Sequence, residues 1–153
     1  MRNPRSHGFF RFFAFESILV MVLLNIGHWF RDPFSRIQII SWLLLLFSLF
    51  LVVHGFWLLR VIGRPKGRIE NTTTLVMTGA YKYIRHPLYS SLLFLAWGVF
   101  LKDPSFLGGL LALTATTSLI ATAKVEETEN LQKFGNGYST YIKKTKRFIP
   151  FLF

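Results

Sequence analysis

Two polar stretches hold most of the side chains in this sequence that are able to do chemistry. The first, "TLVMTGAYKYIRHPLYSS" (residues 74–91), places Tyr81, Tyr83, Arg85, His86 and Tyr89 within nine positions. The second, "KVEETENLQKFGNGY" (residues 124–138), holds Glu126, Glu127 and Glu129, three of the seven acidic residues in the chain. A guanidinium binds a carboxylate through a planar two-pronged fork, and a carboxylate takes an ammonium group or ribose hydroxyls. Brought together, Arg85 and His86 on one side and Glu126 and Glu127 on the other would form a pocket with a cationic and an anionic wall. Such a pocket suits a zwitterionic ligand. An acidic pair at a helix end is also an ordinary solvated terminus paired with nearby lysines. The tyrosines divide the same way. An aromatic face attracts a sulfonium or quaternary ammonium ion, yet tyrosines also gather at membrane interfaces. The residue types leave both readings open.

What positions these stretches is apolar chain. At 153 residues there is room for one structural unit, and 52% of it is apolar, including 17 Phe. A soluble domain of this size has too little interior to hide so much apolar surface. Residues 1–153 therefore read as a single all-α membrane domain, with a two-helix part over 1–60 and the polar stretches in 61–153. The absence of cysteine excludes disulfides, thiolate metal sites and cysteine nucleophiles. No histidine spacing resembles a metal site, and lone histidines such as His28 and His54 read as packing residues. The net charge of +11 would fit nucleic acid, but beside apolar segments basic residues orient a membrane protein. Arg2, Arg5 and Arg11 precede an apolar run that lacks a small-residue cleavage pattern, so the run reads as a retained helix rather than a signal peptide.

Four apolar segments are expected: Phe12–Phe30, Ile37–Leu59, Pro87–Leu101 and Phe106–Val125. About 20 residues cross a bilayer core, and the second segment is the clearest crossing. Lys and Arg number three up to Arg11, six over Arg60–Arg85 and six from Lys124 onward, against three in the other two connections (Arg31, Arg36 and Lys102). That alternation predicts four crossings of a multi-pass protein with both termini and the central loop in the cytoplasm. The third segment is short. Pro87 suits a first helical turn and disfavours helix at His86. The "KDPS" connection is tight enough to fold the third and fourth segments into an antiparallel hairpin. Arg85 and Glu126 would then lie side by side at its cytoplasmic end. Asn25 and His28, three apart, are expected on one helix face. Glu16, one turn inside the first segment, is within reach of the interface and is not assigned to the site. Gly135 is expected to end the acidic helix as its C-terminal cap. Beyond it, Tyr138, Tyr141 and Ile142 at helical spacing, followed by "KKTKR", read as a short amphipathic piece on an anionic membrane surface. "NTT" at Asn71 fits a glycosylation sequon, but on the side expected to be cytoplasmic.

The ordered series "TLVMTGAYKYIRHPLY" and "EETENLQKFGNGYSTYIKKTKRFIP" resembles the isoprenylcysteine carboxyl methyltransferase family of integral membrane methyltransferases. The resemblance covers about residues 73–151. It implies S-adenosyl-L-methionine as methyl donor, bound in the C-terminal helical hairpin, and a lipophilic or membrane-borne acceptor carrying a carboxylate or amine. It implies that Thr73, Thr74, Leu75 and Val76 line the donor through backbone groups, that Tyr81, His86 and Tyr89 contact it, and that Glu126 or Glu127 holds its polar end. Arg85 joins the site from its chemistry as much as from the motif. His86 and Glu127 are the candidate bases if the acceptor must lose a proton. Membrane lipids are the expected surroundings, with no nucleic acid and no metal. A related Arg-His-Pro motif also occurs in membrane reductases that use NADPH on sterol-like or enone lipids, and a non-catalytic membrane subunit is the reading from a different class.

Overall fold

The structure is a computed structural model that describes residues 4–67 and 72–152, with side chains from Gly8 onward. Arg2, Arg68 and the sequon residue Asn71 lie outside the described residues, as does the side chain of His7. The described residues form five α-helices and no named strand: α1 (Pro4–Leu24), α2 (Arg36–Val61), α3 (Pro87–Phe100), α4 (Phe106–Phe134) and α5 (Asn136–Lys144). Helix α2, with 26 residues, and helix α4, with 29, are long and apolar enough to cross a membrane. Helix α3 has 14 residues and at 1.5 Å per residue is only ~21 Å long.

Local chemistry sets most of these ends. Ser35 caps α2 by accepting from the Gln38 amide, and Ser105 caps α4 by accepting from Gly108. Both are polar acceptors placed where the first helical amides lack partners. Pro87 opens α3 at its first position. Gly135, at φ +54°, stops α4 where its amide reaches back to the Leu131 carbonyl at 2.9 Å. The first helix departs from expectation. It begins at Pro4 and ends at Leu24, followed by a short 3-10 turn over Ile26–His28. Asn25 accounts for the early stop, because both its backbone amide and its Nδ2 donate to the Met21 carbonyl. Asn25 and His28 therefore lie beyond the helix instead of sharing one of its faces.

The helices pack as two antiparallel pairs, α2 with α3 and α1 with α4, joined by contacts of α3 with α4 and α1. Small residues seven apart make the α2–α3 seam. The Ser41 hydroxyl donates to the Gly98 carbonyl and the Ser48 hydroxyl to the Ser91 carbonyl, both at 2.7 Å. One step further, a Cβ on Gly55 would stand 3.2 Å from Leu88 and 3.3 Å from Pro87. Small side chains let two backbones approach closely, and the seven-residue repeat keeps them on one face. Ile18 and Met21 of α1 meet Ala112 and Ala115 of α4 and Ala96 and Val99 of α3 in the apolar core. At the start of α2, Lys102 is 3% exposed, with Nζ 3.5 Å from the Trp42 ring centre and 3.2 Å from Gln38 Oε1. This cation–π contact ties down the α3–α4 turn.

The segment between α2 and α3 and the chain after α5 hold each other. Ile84 and Lys146 form an isolated parallel bridge. The amides of Arg85 and His86 donate to the carbonyls of Lys146 and Arg147 at 2.8 and 3.1 Å. The Ser90 hydroxyl donates to the Phe148 carbonyl at 2.8 Å, and Phe148 is buried. Tyr138 and Tyr141 turn inward, with the Tyr141 hydroxyl donating to the Tyr81 carbonyl at 2.6 Å. Helix α5, expected as an amphipathic piece on a membrane surface, thus has the aromatic side chains Tyr138 and Tyr141 fastened to the protein.

Candidate active site

Where α1, α2, α3, α4 and α5 converge, a cavity of about 650 Å³ opens. That volume lies within the range of small-molecule sites, ~300–1,000 Å³. Its lining combines polar residues, among them Arg85, His86, Glu126, Asn130 and Tyr138, with apolar ones, among them Phe15, Val52, Phe56, Leu88 and Leu92. Helix α2 brings apolar side chains and α1 both Phe15 and Arg11, whereas the loop before α3 and the last turns of α4 bring most of the other polar groups.

The two polar stretches of the sequence meet here. Arg85 Nε donates to Glu127 Oε1 at 2.8 Å, and its Nη1 donates to the carbonyls of Ile142, at 3.2 Å, and Thr145. Glu127 also accepts from Arg147, Nε to Oε1 at 3.0 Å and Nη2 to Oε2 at 2.7 Å. Its carboxylate therefore braces three segments: α4, the loop before α3 and the tail after α5. Glu126, one position earlier, is turned into the cavity. The Tyr89 hydroxyl and Arg11 Nη2 both donate to its Oε1, and Arg11 Nη2 also donates to the Tyr89 oxygen at 2.9 Å. His86 stands between the acids, Nδ1 3.6 Å from Glu126 Oε2 and Nε2 3.4 Å from Glu127 Oε1.

Electrostatics follow from this packing. Burial works against the His86 imidazolium, but the two adjoining carboxylates outweigh it and hold its pKa above the ordinary histidine value. Burial raises the phenols of Tyr81 and Tyr141 and pushes Tyr138 up to about 12. These three tyrosines stay neutral at physiological pH and offer hydroxyls and ring faces rather than charge. Arg147 is held further toward its charged form by its hydrogen bonds to Glu127.

Of the residues singled out in the sequence, Leu75, Val76, Tyr81, Arg85, His86, Tyr89 and Glu126 line the cavity. Thr73, Thr74 and Glu127 are not among its lining residues, whereas Thr72 is. The amides of Thr73 and Thr74 instead donate to the Gly63 carbonyl at 2.9 and 3.3 Å, fastening the loop to the end of α2. Sequence reasoning did not assign Arg11 or Arg147 to the site. Gly8, Arg11 and Phe15 all face the cavity, and their spacing of three and four is the one local signal that they share a helix face. Arg147 carried no such signal. Among the described residues no group of His, Asp and Glu is arranged to hold a metal ion.

Comparison with known proteins bears on what such a site does. A methanethiol S-methyltransferase from Pseudomonas sp. (strain GM41(2012)) is 25% identical over 115 residues, covering 72% of this chain and 43% of that protein. The chain thus spans less than half the length of this relative. No solved structure matches the chain. Residues 37–137, from the start of α2 to the start of α5, match the family described as phospholipid methyltransferase. This match takes in the loop, the α3–α4 hairpin and Glu126, so the chain belongs to the phospholipid methyltransferase family of membrane methyltransferases.

Proposed function

We propose that the protein is an integral membrane methyltransferase that transfers a methyl group from S-adenosyl-L-methionine to a lipophilic acceptor. The observation that carries this reading is the mixed lining of the cavity, in which a carboxylate and tyrosines share the wall with membrane-type apolar side chains. The residues present fit the donor chemically. Glu126 offers an anionic acceptor for an ammonium group or ribose hydroxyls, Tyr81 and Tyr89 offer ring faces to a sulfonium ion, and Leu75 and Val76 bring backbone close by. When bound, the donor supplies an electrophilic methyl carbon to a nucleophilic atom of the acceptor.

The protein's own contribution is alignment and exclusion of water. Holding two reactants in line contributes up to ~7–11 kcal/mol to lowering a bimolecular barrier. Phe15, Val52, Phe56 and Leu92 give the acceptor a dry apolar berth. If the acceptor arrives protonated, His86 can take that proton only by first passing one of its own to Glu126 or Glu127, the carboxylates that flank its two nitrogens. Arg85 and Glu127 act by holding the loop, α4 and the tail in register around the donor. The acceptor carries a carboxylate, an amine or, by analogy with the named activity of the Pseudomonas relative, a thiol. In this reading all four long helices belong to the membrane, with the cavity and both termini on the cytoplasmic side, in keeping with the Lys and Arg distribution.

Calorimetric titration of the detergent-solubilised protein with S-adenosylhomocysteine and, separately, NADPH tests the reading. Binding of the former alone, with a matching rise in melting temperature, is expected. Binding of NADPH alone would replace it with reduction, and binding of neither would remove the enzymatic reading.

A further inference from the structure

Helix α1 lies outside residues 37–137, the part that matches the family, yet it forms one wall of the cavity. Its Arg11 is half-buried, with 22% of the side chain exposed, and its Nη2 reaches both the Tyr89 hydroxyl and Glu126 Oε1. The guanidinium carbon stands 6.0 Å from the Tyr89 ring centre. These contacts join residues 78 and 115 positions apart in sequence, and they fall on the carboxylate assigned above to the donor's polar end.

We propose that Arg11 is a positioning residue for Glu126: it fixes the direction of that carboxylate, and thereby makes α1 part of the donor site. The proposal rests on the function proposed above. Its physical basis is the division of labour between the two oxygens of Glu126. Arg11 and Tyr89 both engage Oε1, which leaves Oε2 directed toward His86 Nδ1 and the cavity. The groups facing Glu126 are Arg11 from α1, Tyr89 from α3, His86 and Tyr81 from the preceding loop, Tyr138 from α5 and Glu127 on its own helix. Among the described residues, only Arg11 and the His86 imidazolium are cations in that set. Without Arg11, Oε1 keeps the Tyr89 hydroxyl as its one remaining partner among the described donors, and the carboxylate is freer to change direction.

A double-mutant cycle separates this role from simple stapling of α1 to α4. Wild type, Arg11→Met, Glu126→Gln and the double variant are titrated with S-adenosylhomocysteine at pH 7.5, and the melting point of each ligand-free protein is recorded. The expected result is a roughly tenfold loss of affinity in each single variant and no further loss in the double, since a residue acting through another adds nothing once that other is gone. Arg11→Lys, which keeps the charge without the fork, is expected to fall between wild type and Arg11→Met. If Arg11→Met does not fold, Arg11→Gln replaces it in the same cycle. Losses that multiply in the double variant, or a lowered melting point with unchanged affinity, would overturn the positioning role while leaving the methyltransferase reading intact. Absence of binding by wild type would remove that reading, and the Arg11 proposal with it.

Discussion

Glu127→Gln is the substitution that tests the architecture of the site most directly. Its carboxylate receives three charge-assisted hydrogen bonds from Arg85 and Arg147, and 10% of the side chain is exposed. An amide keeps one acceptor oxygen and turns an NH2 group toward guanidinium donors, so two cations lose their counter-charge. Breaking a buried ion pair on one side costs about 3–5 kcal/mol. Arg147 is 20% exposed and recovers part of the loss from water, which sets the expectation near ~3 kcal/mol. For a chain of this length each kcal/mol moves the melting point by about 2–4 °C, so a fall of roughly 6–12 °C is expected. Intrinsic fluorescence of the four tryptophans follows the transition in detergent. Because Arg85 and Arg147 share this carboxylate, Arg147→Ala added to Glu127→Gln should lower the melting point little further. Melting within about 2 °C of wild type would refute the brace. Loss of S-adenosylhomocysteine affinity at unchanged stability would instead make Glu127 a direct donor ligand.

Other expectations follow from the same contacts. The raised pKa of His86 means that the folded state binds its proton more tightly than the unfolded chain. Its stabilisation is then complete below about pH 6.5 and fades as pH rises through the folded value. The melting point should fall over that window in wild type and fall less in His86→Gln; equal slopes would sink the assignment. Gly79 sits at φ +58° with room for no Cβ, which would stand 2.6 Å from His54 Nε2 and 2.7 Å from Leu58. Gly79→Ala should therefore cost about 1–3 kcal/mol and weaken donor binding by shifting Tyr81; a wild-type melting curve would contradict this. Gly98→Leu should part α2 from α3, since even a Cβ would stand 3.0 Å from Leu45, and unaltered stability would count against the small-residue seam. The sequence lacks cysteine, so single cysteines at Lys66 and Asp103 report sidedness cleanly. Labelling of the first from the cytoplasm and the second from the opposite side is expected, and the reverse pattern would invert the proposed orientation.

How much of this was legible beforehand depended on the range of the causes. Pro87 at the start of α3, Gly135 at the end of α4 and the apolar run that became α2 are local signals, and each predicted its boundary within two residues. The tight turn after α3 placed Arg85 beside the acidic pair, because a hairpin leaves little freedom for its two ends. The division of labour inside that pair was hidden. Neighbouring positions on a helix point about 100° apart, and nothing local says which one faces a cavity. Arg11 was legible only as one more positive charge near a membrane segment. Its partner lies 115 residues away, and only the packing of α1 on α4 brings the two together. Thr73 and Thr74 entered by resemblance; their amides are occupied by Gly63, a loop closure that no side-chain pattern announces.

The parallel bridge between Ile84 and Lys146 also sets an order of events. The helices before it can form one after another, yet the walls around Arg85 and His86 stay incomplete until about sixty further residues have been made and folded back. Closure of these walls therefore waits for residues 145–148, and on the proposed function any change that displaces them should lower activity more than it lowers the amount of helical protein.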